Sequence, residues 1–344
     1  MLRALDSSAL AMPLRSLLLA LFLAITAATL PVRAQTPQFD TWFEAENRAA
    51  IDKEIARLQA ADPDDRIAQL ATARLGVELD GARLDAGIAA VERCVARNEA
   101  DADCHLWLGR AYGRKAIEAG MLAGLRYTGR IRAHFERAAD LAPDWIEPRE
   151  NLVQFFVLAP AIAGGGKGKA REAIAAYAQR RPVEATLLQA QLNMAEERYA
   201  EAEKRLLGFV GSDARGATEV WKNQLGSLGF VYLSSKPPRL EDSARVFAFG
   251  ASRFPREELF QRGLGRVAQE QGRYAEAMTH FEQALAIRSR PGAHYRLAQV
   301  AEKLGDTAKA MLHYEKVLRI GRGVPRSALS EANERLKALQ AAAR

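Results

Sequence analysis

Apolar and small residues recur at a fixed spacing in the C-terminal third of the chain. From Leu264 to Ala284 they follow the spacing of two short helices joined by a tight turn. The same set recurs 33 residues later. The matched positions are Leu264, Gly265, Ala268, Gly272, Ala277, Phe281 and Ala284, followed by Leu297, Ala298, Ala301, Gly305, Ala310, Tyr314 and Val317. A fixed period of this size predicts an array of helical repeats.

Diverged copies of the same unit extend toward the N-terminus. Helical pairs are predicted over residues 64–97, 108–143, 152–182, 187–209 and 220–254, before the two regular copies. We therefore expect helical repeats from 64 to 325. A capping helix is expected within 35–63, with Phe39 to Ala60 as its extent, and a second within 326–344, because a repeat stack must cover its two end faces.

Two of these pairs are longer than the regular unit. About ten extra residues surround Gly120–Gly124, and about five lie within Leu158–Lys167, relative to a 34-residue repeat. The first insertion predicts a protruding hairpin tip. In the second, Pro160 is expected to end a helix, and the glycines from Gly164 to Gly166 turn the chain before the next helix begins at Lys167.

The composition supports an all-α fold. The chain has 344 residues, of which 49% are hydrophobic and 26% charged. Strand-like alternation of Val, Ile and Thr is scarce, whereas good helix formers are abundant. Each helical pair alone would leave an apolar face exposed to water, so the pairs are expected to stack into one continuous solenoid.

The first 34 residues resemble an export signal. Arg15 precedes an apolar run from Ser16 to Leu30, and small residues before Gln35 suit a signal peptidase. The alternative is a single membrane anchor, for which the run is short. We expect residues 1–34 to be cleaved, leaving no stable membrane anchor and an exported protein, periplasmic if the source is Gram-negative.

The net charge is +7, and it falls to +5 without residues 1–34, which carry three arginines and one aspartate. Basic residues are dispersed among acidic ones instead of clustered. This pattern disfavours a nucleic-acid partner.

Cys94 and Cys104 are the two cysteines of the chain. They stand at the end of one predicted helix and the start of the next, a hairpin geometry that could bring both into bonding range. In an oxidising compartment such a pair favours a disulfide. The alternative is two packed thiols.

Leu264-Gly265 followed by Ala277-x-x-x-Phe281 resembles the tetratricopeptide-repeat pattern. The resemblance implies a right-handed superhelix of antiparallel helix pairs that binds proteins or peptides on its concave face. Residues from Leu106 to Pro182 are also similar to a group of exported bacterial tetratricopeptide-repeat proteins with a Pro- and Gly-Gly-rich insertion, which implies no activity.

In this family, certain positions of each first helix commonly face the concave groove. Carried onto the regular repeats, they give Arg262, Arg266, Gln269, Tyr295 and Gln299 as candidate peptide-binding residues. Paired arginines beside Tyr and Gln could hold a carboxylate by forked hydrogen bonds and stacking. The alternative is that these are solvated polar positions. The Lys and Asn set of the chaperone-binding carboxylate clamp is not recognisable.

No constellation in the sequence predicts catalysis, a cofactor or a metal. The loop from Gly164 to Lys169 fails the phosphate-loop signature, because position 161 is alanine and position 168 is glycine. No two histidines have the H-x-x-x-H spacing of a helical zinc site. His280 and His313 occupy the same repeat position, which suggests repeat architecture.

The sequence therefore predicts a non-catalytic exported scaffold that binds a protein or peptide in its groove. The alternative is a periplasmic solute-binding or assembly component of a transport system, which requires an enclosed apolar cavity or pore. An enzyme of unknown class is a distant third.

Overall fold

The computed structural model describes residues 37–321 and 323–342. The predicted export signal lies outside the described residues. The described chain is all-α apart from short turns. In order, its helices are α1 Pro37–Glu44, α2 Arg48–Ala61, α3 Arg66–Arg74, α4 Leu84–Arg97, α5 Ala102–Ala119, α6 Met121–Leu141, α7 Ile146–Leu158, α8 Lys167–Ala178, α9 Pro182–Ala195, α10 Tyr199–Leu207, α11 Ala217–Ser234, α12 Leu240–Arg253, α13 Glu258–Glu270, α14 Tyr274–Ile287, α15 Pro291–Lys303, α16 Thr307–Ile320 and α17 Arg326–Ala342.

Each helix packs mainly against its neighbours in the chain. Within the repeats, first helices also contact the first helix of the next pair, as α9 does with α11, α11 with α13, and α13 with α15. Helix pairs that contact only nearby pairs make a solenoid with the first helices forming one layer. The predicted all-α solenoid is therefore confirmed.

A glycine in the first helix and an aromatic ring in the second hold two of the helix pairs together, whereas the last regular repeat has Ala298 and Tyr314 at these positions. Phe281 is fully buried, and a Cβ added at Gly265 would lie 2.8 Å from Cε1 of its ring. The same relation joins Gly109 and Phe135, where the corresponding distance to Cε1 is 2.5 Å. The missing side chain lets the ring lie directly on the helix backbone, and large side chains so packed contribute on the order of 3 to 5 kcal/mol.

The N-terminal cap is formed by two helices. The expectation of a single helix from Phe39 to Ala60 is wrong, because α1 ends at Glu44 and α2 begins at Arg48. Glu46 has φ of 52°, and the Asn47 side chain accepts a hydrogen bond from the backbone N–H of Ala50. An asparagine cap of this kind starts a new helix.

Each insertion lies between the two helices of its own pair, the first between α5 and α6 and the second between α7 and α8. α5 and α6 have 18 and 21 residues, against 13 and 14 in α13 and α14. At the helical rise this excess extends the hairpin by about 7 to 10 Å. In the second insertion α7 ends at Leu158, before Pro160, and α8 begins at Lys167, as predicted. The chain between them forms a 3₁₀ turn over Ala161–Ala163.

The two ends of the solenoid contact each other. Glu44 at the end of α1 and Glu46 just after it form ion pairs with Arg288 and Arg290, which lie between α14 and α15. Arg290 also lies 3.6 Å from Glu258 at the start of α13. The partners in the pairs Glu44–Arg288 and Glu46–Arg290 are 244 positions apart in the chain. The array therefore curls far enough to bring its first cap onto its C-terminal repeats.

Cys94 and Cys104 are joined by a disulfide, with their Cα atoms 5.9 Å apart. It links the end of α4 to the start of α5, and both side chains are buried. The predicted disulfide is thus present in the structure. No helix within the described residues is long and apolar enough to cross a membrane.

Candidate functional site

The first helices place a row of arginines on the C-terminal part of the solenoid. Arg262 and Arg266 are one helical turn apart on α13, and Arg296 lies on the following first helix, α15. The positive charges of Arg296 and Arg262 act on Arg266. Burial is the largest cause that lowers the pKa of the Arg266 guanidinium, and these two charges lower it further. Three like charges are therefore gathered on two adjacent helices.

Acidic partners neutralise this row only in part. Arg262 donates through Nε to Oε2 of Glu258 at 3.1 Å, and its guanidinium lies 5.3 Å from the centre of the Phe230 ring. Glu258 is shared with Arg290. Arg266 has a single, long ion pair of 4.0 Å with Glu270, and its buried Nε has no hydrogen-bond partner. The guanidinium of Arg266 is thus short of acceptors.

The predicted glutamines lie together beyond the arginine row. Gln269 donates through Nε2 to Oε1 of Gln299 at 3.5 Å, and Gln299 donates to Glu331 of α17 at 2.9 Å. The buried Oε1 of Gln269 has no hydrogen-bond partner. Both glutamines border a cavity of about 630 Å³, lined by Gln269, Glu270, Tyr274, Arg296, Gln299, Glu302, Lys303, Tyr314, Glu331 and Arg335.

Tyr295 is placed differently from the other four candidates. Only 9% of its surface is exposed. Burial and a hydrogen bond to Glu331 raise its pKa to about 12. The Tyr295 ring is therefore part of the packing between α15 and α17, which leaves Arg262, Arg266, Gln269 and Gln299 as the candidates that a ligand could reach. The C-terminal cap supplies Glu331, which the sequence did not assign to the groove.

A second concave cavity, of about 620 Å³, lies in the N-terminal half. It is lined by residues of α1, α3, α5, α7 and α11 and of the segments directly before or after these helices: Asp40, Glu44, Arg74, Val77, Glu78, Leu106, Trp107, Arg110, Trp145, Glu147, Arg215, Gly216, Glu219 and Asn223. Sequence reasoning missed this cavity. One available signal was that Arg110 follows Gly109 as Arg266 follows Gly265, so the same inward position recurs in the diverged repeat.

The charged groups of the N-terminal cavity satisfy one another. The Arg215 guanidinium lies 3.7 Å from the centre of the Trp145 ring and pairs with Asp103. Glu147 accepts hydrogen bonds from Trp145 Nε1 at 2.7 Å and from Arg110 at 3.1 Å. This network leaves few groups free for a ligand.

Glu150 stands next to this network on α7. It keeps some contact with solvent. Desolvation by the surrounding protein nevertheless raises its pKa to about 7, while Arg110 opposes the rise and Glu147 adds to it. Gln191 donates to the backbone carbonyl of Glu150 at 3.3 Å. A carboxyl group of this kind changes charge near neutral pH.

One cluster contains residue types that bind metals, but its sulfur and carboxylate groups are already bonded or paired. Within the described residues, Cys94, Asp101 and Cys104 bring their ligand atoms together. The two sulfurs are bonded to each other, and Asp101 pairs with Arg66. A disulfide sulfur and a neutralised carboxylate are poor metal ligands.

The fold and the polar inner surface define a class: a helical-repeat protein built from antiparallel helix pairs. The Tetratricopeptide repeat family model matches residues 239–294 and 262–325. Residues 239–325 therefore carry tetratricopeptide repeats, as the sequence pattern predicted. A comparison with curated protein sequences found no significant match.

Solved structures resemble this chain at low identity. A human IFIT1 dimer with PPP-AAAA aligns with a TM-score of 0.46 and 13% identity, over 79% of this chain and 62% of that one. The APC/C hetero-tetramer Cut9–Hcn1 gives 0.41 and 15%, over 92% and 58%. Pseudomonas aeruginosa pilF gives 0.43 and 15%, over 72% and 99%. The chain spans less than two thirds of the first two.

Proposed function

We propose that this protein is a non-catalytic scaffold that binds an acidic segment of a partner protein in its concave groove. The segment lies along the first helices α13 and α15, with carboxylates on Arg262 and Arg266 and backbone amides on Gln269 and Gln299. Glutamine side chains suit this role because each offers a donor and an acceptor to a peptide backbone.

The incomplete neutralisation of Arg266 carries the proposal. Its Nε is buried without a hydrogen-bond partner, its ion pair with Glu270 is 4.0 Å long, and Arg262 and Arg296 add like charge nearby. A carboxylate bound to the accessible part of the guanidinium would offset the like charge of Arg262 and Arg296. Arginine binds carboxylates through two parallel hydrogen bonds, which also fixes the orientation of the ligand.

The polar lining of the groove favours a peptide over a solute held in an apolar chamber. The cavity beside Gln269 and Gln299 is bordered by Glu302, Glu331 and Arg335, among other polar groups. A transport component holding an apolar ligand would require mainly aliphatic and aromatic walls. An extended peptide instead offers the carbonyl, amide and carboxylate groups that these side chains recognise.

We further propose that the scaffold works outside the cytoplasm. The export-type pattern of residues 1–34 supports this, as does the disulfide between Cys94 and Cys104, since disulfides persist mainly in oxidising compartments. The partner segment would then belong to another protein of the same compartment.

Selection of random peptides displayed on phage tests the proposed groove. Peptides enriched on the wild-type protein should carry clustered Asp and Glu. Arg262→Glu/Arg266→Glu should weaken their binding at least tenfold in fluorescence anisotropy, because each lost charge-assisted hydrogen bond contributes about 1.5 to 3 kcal/mol. An oligoadenylate RNA serves as competitor: displacement of the peptide by RNA at similar concentration would contradict selectivity for peptide.

Lys316→Glu/Arg319→Glu is the matched control. It changes the net charge by the same amount, but its residues lie on the second helix α16, beside a different cavity. The control should bind the selected peptides as the wild type does. Equal loss in both double variants would mean that net charge alone governs binding, and the assigned groove would be wrong.

A further inference from the structure

The two insertions expose apolar side chains at one edge of the solenoid. Ile117, Met121 and Leu122 at the α5–α6 tip are 76%, 83% and 83% exposed, and Leu158 and Ile162 of the second insertion are 70% and 89% exposed. These five, here called the apolar edge, are half of the ten exposed large apolar side chains in the described chain. Their concentration in inserted segments, instead of an even spread, indicates a contact surface.

Both insertions lie on the same edge because each connects the two helices of one pair, and the pairs are adjacent. The turn Ala161–Ala163 packs against α6. A Cβ added at Gly164 would lie 3.5 Å from Nη1 of Arg132, so the second insertion rests on the flank of the α5–α6 hairpin. The second insertion thus contacts the flank of the hairpin at Arg132, eleven residues along α6 from Met121 at the tip.

The protruding hairpin is held together down to its tip. A Cβ at Gly124 would lie 2.6 Å from the carbonyl oxygen of Ala116, which shows how closely α5 and α6 approach each other there. Further from the tip, Tyr127 and Tyr112 stack with ring centres 5.9 Å apart. The exposed apolar residues are therefore displayed on a supported helical hairpin.

Positive charge surrounds the apolar edge. Residues 113–134 and 158–171 contain eight basic residues and one acidic residue, Glu118. Arg114, Lys115, Arg132 and Arg171 form ion pairs with carboxylates. Among the described residues, the other four form no ion pair, and these four are here called the basic collar: Arg126, Arg130, Lys167 and Lys169. Arg126 stacks on Tyr127 and Arg130 on Tyr112, so both carry their charge beside aromatic rings. Lys169 donates to the carbonyl oxygen of Gly164 at 3.0 Å. Apolar residues at the tip, with the basic collar beside them, suit a membrane surface, where anionic headgroups cover apolar acyl chains.

We propose that the apolar edge docks reversibly on an anionic phospholipid membrane. Ile117, Met121 and Leu122 enter the boundary between headgroups and acyl chains, and the basic collar contacts the lipid phosphates. Peripheral proteins bind anionic membranes by this combination of buried apolar area and electrostatic attraction. The docked hairpin would hold the concave groove near the membrane without an anchor, whatever the groove binds.

Flotation with lipid vesicles tests the proposal. The wild-type protein should float with phosphatidylcholine vesicles that contain phosphatidylglycerol, and hardly with phosphatidylcholine alone. Met121→Glu/Leu122→Glu should reduce the bound fraction at least tenfold, and Arg126→Gln/Arg130→Gln should reduce it several-fold. Added salt should release the protein, because it screens the attraction between the collar and the lipids.

Val210→Glu is the matched control, since Val210 is 82% exposed but lies outside both insertions. It should float as the wild type does. Leu122→Trp and Val210→Trp give a second readout: tryptophan emission should shift to the blue with anionic vesicles in the first variant only. Equal flotation of Met121→Glu/Leu122→Glu and Val210→Glu, or an unchanged emission of the Leu122→Trp variant, would overturn the proposal and leave a protein contact at this edge instead.

Discussion

The Nδ1 atoms of His294 and His313 lie 2.8 Å apart, joining the first and second helices of one repeat. The same positions of the preceding repeat hold Gln261 and His280, whose Oε1 and Nδ1 atoms are also 2.8 Å apart. In the repeat with the long hairpin, His105 and His134 form a third such pair at 2.9 Å. A hydrogen bond at this place is therefore a recurring part of the repeat.

The His294–His313 pair should make stability depend on pH. Burial and the nearby Lys316 and Arg319 lower the pKa of His294 to about 4, and burial and His294 lower that of His313 to about 4. The unfolded chain binds these protons near pH 6.5, so between pH 6.5 and 4 it holds more protons than the native state. The free energy of unfolding should fall as the pH is lowered through this window.

His294→Gln isolates this effect, because it copies the Gln261–His280 pair of the neighbouring repeat. The variant keeps a donor and an acceptor between the helices but loses one titrating ring. Urea unfolding at pH 7.5 and pH 5 measures the outcome. The difference between the two pH values should be smaller in His294→Gln than in the wild type, and an unchanged difference would contradict a role for this pair.

Glu150 should have the opposite pH dependence. Its pKa is raised to about 7, so the native state holds its proton between the ordinary value of 4.5 and 7, where the unfolded chain has lost it. This contribution to stability is lost as the pH rises through 7. Glu150→Gln should therefore stabilise the protein at pH 8 by about 1 to 2 kcal/mol, measured by urea unfolding, with little change at pH 4. Equal stability of both proteins at pH 8 would show that the carboxylate is well solvated.

The contact between Gly265 and Phe281 sets the distance between α13 and α14. Gly265→Val should destabilise the protein by more than about 2 kcal/mol, because its side chain would occupy the space of the ring. Phe281→Ala should cost about 3 to 5 kcal/mol. In the double variant the valine partly fills the space that the ring vacated, so its cost should be clearly less than the sum of the single costs. Additive costs would show that the two residues do not share this space.

Loss of the disulfide should lower stability without changing the fold. In the loop-entropy model, a closed loop of about ten residues contributes roughly 2 to 3 kcal/mol. Cys94→Ala/Cys104→Ala should lower the free energy of unfolding by this amount and leave the circular dichroism spectrum unchanged. The wild type under reducing conditions provides the comparison, and a midpoint that does not respond to reductant would contradict a stabilising disulfide.

The repeats and their packing could be predicted because they depend on local spacing. Gly265 and Phe281 are close in sequence and recur at a fixed interval, so their contact follows from the periodicity. The insertions, the disulfide and the architectural role of His280 and His313 were predicted for the same reason. Each depends on residues within one helical pair or on two adjacent helices.

Features that depend on the curvature of the whole array could not be predicted. The pairing of Glu44 with Arg288 requires the summed rotation of many repeats, which no local pattern encodes. The N-terminal cavity likewise combines side chains from α1 to α11. The break between α1 and α2 depends on the positive φ of Glu46, a conformation that is uncommon for glutamate.

A charge swap between groove and ligand tests the central claim most directly. The measurement is the dissociation constant of a selected acidic peptide, and of the same peptide with its acidic residues changed to lysine, for wild type and Arg262→Glu/Arg266→Glu. We predict that the wild type binds the acidic peptide at least tenfold more tightly than the variant does, and that the lysine peptide reverses this preference. If both proteins bind each peptide with equal affinity, Arg262 and Arg266 do not form the binding site.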